Sequence, residues 1–322
     1  MRATPSGVAE KESRLSRVPK QYQSVVLFLR DAGMAVAFVA LVLLVMFAYT
    51  GLWPPLVVVE SNSMMHGDDN TSHIGTIDTG DLVLVKKVDS AADVQTYVDG
   101  FVSGHRTYGD YGDVIVYKRS GSSAGTPIIH RAIIYLELNS NGLSYSAPSL
   151  RLLPDDKWST ANPTDTWDRL TSVLSIKHVG YNDLTVSVDI PSLLTSHHGG
   201  FITKGDHNYA TDQTYTRDGP VEVTWVVGKA RGEIPWFGLL KLWSTGTLGS
   251  PAPENSVRNL WISLALIVIT PIGVDVFVTF REKGRIAARR APRGETGVGG
   301  TEEEKKAEAE DLGKVTKPPK LN

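Results

Sequence analysis

Six consecutive residues, Ser61-Asn62-Ser63-Met64-Met65-His66, set two hydroxyls and an imidazole close together, directly after the β-branched run Val57-Val58-Val59. A serine hydroxyl is a weak nucleophile and attacks a carbonyl only where a base takes its proton. Eight histidines are available: His66, His73, His105, His130, His178, His197, His198 and His207. Seven stand in polar, loop-like sequence, where a solvated or weakly bound imidazole is the ordinary case. His130 differs, because it sits inside the apolar run Ile128-Ile-His-Arg-Ala-Ile-Ile134. A strand there either fills the core with a satisfied imidazole or aims it into a cleft, and the run alone leaves both readings open. Lys86, Lys87 and Lys118, in strand-like sequence, are alternative bases.

A third group would be needed to orient the base. Thr203-Lys-Gly-Asp-His-Asn-Tyr-Ala-Thr-Asp212 offers two carboxylates, Asp206 and Asp212, in a turn-rich stretch. Gly-Asp turns are common, so Asp206 reads first as an Asx-turn and Asp212 as a turn cap. These acids do not identify a triad unaided. The pairs His197-His198 and Asp68-Asp69 make no recognisable ligand set, so no metal and no cofactor are expected.

The elements that must position these groups are mostly short strands. Asp81–Lys86, Asp113–Lys118 and Ile128–Ile134 are β-branched runs, the first two opened by Gly-Asp turns. Leu184–Ile190 alternates at period two, and Val221–Val227 does much the same. Such a pattern predicts a mainly β domain, a barrel or folded sheet, with residues 136–200 as a less regular insertion. The chain of 322 residues has no cysteine, which excludes disulfides, thiolate metal sites and a cysteine nucleophile.

Two apolar stretches flank that domain. Ala32–Trp53 carries no charge and has about the ~20 residues a helix needs to cross hydrocarbon. It is longer than the ~7–15-residue core of a signal peptide and lacks a small-residue cleavage site, so it reads as an uncleaved anchor. Leu260–Phe280 is a second such stretch, interrupted by Pro271, Gly273 and Asp275, whose length favours spanning. Basic residues precede the first stretch and follow the second, which puts both ends in the cytoplasm and the domain between them outside. From Pro54 to Glu254 there are 23 acidic against 15 basic residues, and nothing suggests nucleic-acid binding. The aromatic segment Pro235–Trp243 reads as a core element or, slightly better, as an interfacial patch at headgroup level. Residues 1–23 and the Gly/Glu/Lys-rich tail beyond Arg293 read as loosely ordered or disordered, with Thr301–Glu310 as a short solvated helix.

Taken in order, Ser-x-Ser-Met at 61–64, Gly-Asp-Val-Ile-Val-Tyr at 112–117, His-Arg at 130–131 and Lys-Gly-Asp-x-Asn…Asp at 204–212 resemble a type I signal peptidase. The resemblance is to the archaeal and endoplasmic-reticulum branch, which has histidine where bacterial members have a lysine base. It covers residues 32 to about 243 and rests on four separated motifs in the family's order. It implies Ser63 as nucleophile, His130 as general base, Asp212 as the acid orienting it, Asp206 as a support of the loop, and Ser61 as an oxyanion donor. The family commonly has proline near the position of His66 and asparagine where His207 stands, so either histidine is a rival to His130.

The layout implied is a cytoplasmic leader (1–31), a transmembrane helix (32–53), an extracytoplasmic peptidase domain (54–256, insertion 136–200), a second transmembrane helix (260–280) and a disordered cytoplasmic tail (281–322). The activity implied is removal of signal peptides from exported preproteins, with the lipid bilayer and the protein translocation machinery as partners. Two rival readings are a processing peptidase dedicated to a few surface precursors and a silent β-domain that scaffolds exported proteins.

Overall fold

The computed structural model describes residues 19–290. The leader before Pro19 and the tail beyond Arg290, including Thr301–Glu310, lie outside the described residues. Helix α1 spans Lys20–Thr50 and ends at Gly51, whose φ of 68° closes the last turn on the Phe47 carbonyl. It begins well before the expected Ala32. Arg30 and Asp31 pair side by side at 2.7 Å, so the helix continues through two charges that had marked its boundary.

After α1 come β1 (Leu56–Val58), β2 (Leu82–Lys87), helix α2 (Tyr97–Ser103), the short pair β3 (Arg106–Thr107) and β4 (Asp110–Tyr111), then β5 (Val114–Tyr117) and β6 (Ile128–Leu138). The chain continues through β7 (Tyr145–Ser146), β8 (Trp158–Thr160), β9 (Leu174–Val179), β10 (Leu184–Val188), the single turn α3 (Ile190–Leu193) and β11 (Gly200–Lys204). Helix α4 (Asp212–Thr216), β12 (Val226–Ile234), α5 (Gly238–Thr245) and α6 (Glu254–Arg290) complete it.

A seven-stranded sheet orders its strands β1-β2-β12-β5-β6-β11, with β7 added to β6. Period two explains why this sheet has apolar residues on both faces. On β5, Val114 and Val116 pack into one cluster with Val83, Val85, Ile129 and Met64. Ile115 and Tyr117 point the other way, into a second cluster with Ala132, Phe201 and Val226. Both faces are therefore buried, and the runs read as continuously apolar rather than alternating.

Two sequence expectations need correction here. The run Val221–Val227 is not one strand: Val223–Trp225 form a 3-10 turn, and β12 starts only at Val226. Its true course, through Gly228, Lys229, Arg231, Gly232 and Glu233, is too rich in glycine and charge to read as a strand. The insertion is also more regular than expected. Strands β8, β9 and β10 form their own antiparallel sheet, and Tyr145, Leu150, Leu174, Ile176 and Val186 build a core with Ile133, Ile134 and Leu136 of β6.

Val25–Thr50 and Glu254–Lys283 are helical stretches long and apolar enough to cross a membrane. The chain divides into two compact units at Ser263/Leu264, within α6. In the second unit the helix continues through Pro271 and on to Arg290, so 281–290 is helical rather than disordered as expected. In the first unit, α5 buries Leu239 and Leu242 while Leu240 and Trp243 stay exposed.

Candidate active site

The nucleophile segment is fixed from beneath. Met64 and Met65 are fully buried, and the Met65 amide closes a turn on the Asn62 carbonyl at 3.0 Å. The preceding residue is held from a distant part of the chain: the amides of Gly249 and Ser250 donate to the Glu60 carbonyl at 2.9 and 3.2 Å. The Ser63 carbonyl accepts from the His207 amide at 2.9 Å. Ser63 is thus presented by a rigid turn with its side chain half-exposed.

His130 stands on β6 opposite Ile115 of β5. Its Nε2 lies 2.9 Å from Ser63 Oγ, and its Nδ1 lies 2.7 Å from Asp212 Oδ2. Asp212 opens α4, behind Thr211, whose hydroxyl caps the helix by accepting from the Thr214 amide. The same Asp212 Oδ2 also accepts from Tyr117 Oη at 2.8 Å and Thr203 Oγ1 at 2.6 Å. Burial would push this carboxyl up, but the adjoining His130 imidazole and the hydrogen bonds from His130, Thr203 and Tyr117 outweigh it and hold Asp212 below its ordinary value. A carboxylate only accepts, so Nδ1 carries the imidazole proton and Nε2 is left to accept from Ser63. Of the two readings of His130, the structure places the ring against Ser63 at the floor of a cleft.

Consecutive strand residues face opposite ways, and this separates two networks. Arg131, fully buried, points away from His130 and grips Asp206 through Nε (2.8 Å) and Nη2 (2.6 Å). Its Nη1 donates to the carbonyls of Thr107, Tyr111 and Gly112 at 3.0–3.1 Å. Asp206 is therefore not an Asx-turn acid but the anchor of a buried guanidinium. Burial alone would raise its carboxyl; Arg131, with help from His66, holds it far below the ordinary carboxylate range. Lys204 is buried as well, its Nζ donating to the Gly205 and Asp206 carbonyls at 2.9 and 3.0 Å.

Both rival histidines are engaged elsewhere. His66 Nε2 meets Asp206 Oδ2 at 2.9 Å, and its ring stacks on Tyr181 of the insertion at 4.4 Å. His207 contacts Tyr181 Oη through Nδ1 at 3.2 Å and Asp69 through Nε2 at 3.4 Å. The loop-like histidines are also less free than the sequence suggests: His105 pairs with buried Asp113 at 2.9 Å, and His178 with Asp183 at 2.8 Å. Lys86 lies over the Tyr49 ring, Lys87 pairs with Asp89, and Lys118 donates to Ser123, so none is placed against Ser63. Ser61 Oγ is 3.3 Å from Ser63 Oγ.

Sequence reasoning missed Tyr117, Thr203, Arg131 and Lys204. Tyr117 was legible only as a strand residue, and Thr203 only as the start of a turn-rich stretch, whereas it lies in β11. The charged pair was signalled by its position next to His130 and Asp206, since a charge inside an apolar strand needs a buried partner. Compared with known proteins, the chain matches no family model and no curated protein sequence.

A hydroxyl bonded to an imidazole whose second nitrogen is held by a buried carboxylate is an arrangement suited to nucleophilic acyl transfer. The cleft above it encloses about 400 Å³, with Val58, Met64, Pro127, Ile128 and Ile129 supplying an apolar lining.

Proposed function

We propose that the chain is a membrane-anchored serine endopeptidase that removes signal peptides from exported preproteins on the outer face of the membrane. The observation that carries this reading is the continuous chain Ser63 Oγ–His130 Nε2, Nδ1–Asp212 Oδ2, at 2.9 and 2.7 Å, opening on an apolar cleft. The two helices of membrane-crossing length on either side of the domain support it. The four motifs shared with type I signal peptidases supply the substrate class.

In the reaction, Ser63 Oγ attacks the scissile carbonyl carbon while its proton passes to His130 Nε2. Asp212 stabilises the imidazolium that results. The oxyanion is received by the Ser63 amide and the Ser61 hydroxyl, donors of a kind worth ~3 kcal/mol each. His130 then gives the proton to the departing amine, leaving an acyl-enzyme on Ser63 that water hydrolyses by the same steps. Anchoring the enzyme beside the substrate's hydrophobic segment raises their effective concentration, so the side chains at the cut need not be bound tightly. Both termini lie in the cytoplasm in this topology, and the translocation machinery delivers the substrates.

Cleavage of a preprotein by the full-length chain in lipid vesicles tests the reading, with the new N-terminus read by mass spectrometry. A single cut behind the hydrophobic segment is expected; an intact preprotein overturns the reading.

The close packing of the array makes one further prediction. A Cβ on Gly205 would stand 2.5 Å from the Ser63 carbonyl oxygen, 2.8 Å from Asn208 Nδ2 and 2.9 Å from His130 Nε2. The first is fixed backbone and the last is the base itself, so the array must open. Gly205→Ala is expected to lower kcat by about 10²-fold, the usual consequence of ~1 Å misplacement. Gly33→Ala is the control, since nothing lies within 4 Å of the added methyl. Equal activity of the two variants would contradict the geometry.

A further inference from the structure

The cleft carries one carboxylate that the reaction does not use. Glu60, three residues before Ser63, lines the same cavity as Ser63, His130 and Asp212. Its backbone is pinned by Gly249 and Ser250, so the side chain departs from a fixed point on the rim. Among the described residues its carboxylate accepts one side-chain hydrogen bond, from the exposed Thr126 hydroxyl at 3.2 Å, and has no cationic partner. No lysine or arginine lines the cavity among the described residues; its formal charges are Glu60, Asp212 and the ionisable His130. Asp212 is committed to His130, Tyr117 and Thr203. Glu60 is therefore a half-buried anion in an apolar cleft, with acceptor capacity left over.

Resting on the peptidase reading, we propose that Glu60 is a specificity-determining residue, selecting substrates with a lysine or arginine beside the scissile bond and rejecting those with an acidic side chain there. The physical basis is asymmetric. A substrate ammonium or guanidinium meets a pre-positioned carboxylate in partly desolvated surroundings, where a charge-assisted hydrogen bond is strong. An acidic side chain at that place meets a like charge and finds no cation to pair with, so it is disfavoured. Neutral small residues are indifferent to Glu60, so the residue sorts substrates without being needed for the chemistry.

The experiment uses the full-length chain in neutral-lipid vesicles and one preprotein carrying Lys, Gln or Glu in turn at each position around the cut. At one position or more, kcat/KM for Lys is expected to exceed that for Glu by about tenfold or more. Raising the salt, which shortens the screening length, should reduce that ratio. Glu60→Gln should bring the ratio towards one, and Glu60→Lys should invert it. A misfolded variant would lose all substrates together, and the wild-type ratio and its salt dependence stand independently of any variant. A wild-type ratio near one at every position overturns the proposal, as does a ratio that survives in active Glu60→Gln. A wild-type chain that cuts no member of the series overturns the peptidase reading with it.

Discussion

Ser63→Ala is expected to slow preprotein cleavage by about 10⁴–10⁶-fold in kcat, with the chain folded as before. Among the described residues, the side-chain partners of Ser63 Oγ are Ser61 Oγ at 3.3 Å and His130 Nε2 at 2.9 Å. Removing one oxygen therefore deletes the nucleophile and leaves no buried donor stranded. The turn itself is held by buried Met64 and Met65 and by the His207 amide on the Ser63 carbonyl, none of which involves the hydroxyl. Thermal stability should stay within about 1 kcal/mol of wild type. KM should change little, because the apolar lining of the cleft (Val58, Met64, Pro127, Ile128 and Ile129) is untouched. Single-turnover kinetics on a preprotein would measure the effect, and a variant that cuts at the wild-type rate would remove Ser63 from the chemistry.

Asp212→Asn carries the second large effect, a fall of about 10³–10⁴-fold in kcat. Three donors converge on Asp212 Oδ2: His130 Nδ1 at 2.7 Å, Thr203 Oγ1 at 2.6 Å and Tyr117 Oη at 2.8 Å. An amide oxygen in that place still accepts but lacks the charge that stabilises the imidazolium. An amide nitrogen in that place would turn His130 to the wrong tautomer and confront two hydroxyl donors. The pH dependence separates this role from simple packing. The folded-state carboxyl sits below its ordinary value of 3.8, so its contribution to stability is present above that pH and lost as pH falls through the lower folded value. Asp212→Asn should therefore flatten the acid limb of the stability profile below about pH 4 while lowering kcat across the whole neutral range. His66→Ala is the instructive contrast. Arg131 still holds Asp206 through two bonds in that variant, so much activity should remain.

How much of this was legible in the sequence depends on the range over which each feature is determined. Strands β2 and β5 could be read directly, because a β-branched run behind a Gly-Asp turn has few alternatives, and β6 could be read from its apolar run. The face that His130 presents could not, since burial and cleft exposure fit the same run and only the chain returning with Asp212 decides between them. Ser63 and His130 are 67 residues apart, and His130 and Asp212 are 82 apart. Such convergence is a property of strand order, which local pattern does not encode. Strand β12 was obscured because two of its positions are glycine and three carry charge. Lys229 and Arg231 there pair with buried Asp113 at 3.0 and 3.1 Å rather than with solvent. Residues 136–200 looked irregular because their strands are short, yet they pack their apolar side chains against β6. The start of the first long helix was misplaced by Arg30 and Asp31, whose charges cancel locally and do not end the helix.

The central claim is that Ser63 occupies an activated position created by His130 and Asp212, and the absence of cysteine from the chain allows a direct measurement of it. In Ser63→Cys the introduced thiol is the only one present, so its alkylation rate as a function of pH reports that position alone. The thiol is expected to titrate well below the ordinary value of about 8.5, because His130 can take its proton and pair with the thiolate. Adding His130→Ala should return the titration to the ordinary value. A thiol in Ser63→Cys that titrates near 8.5 with or without His130 would contradict the account.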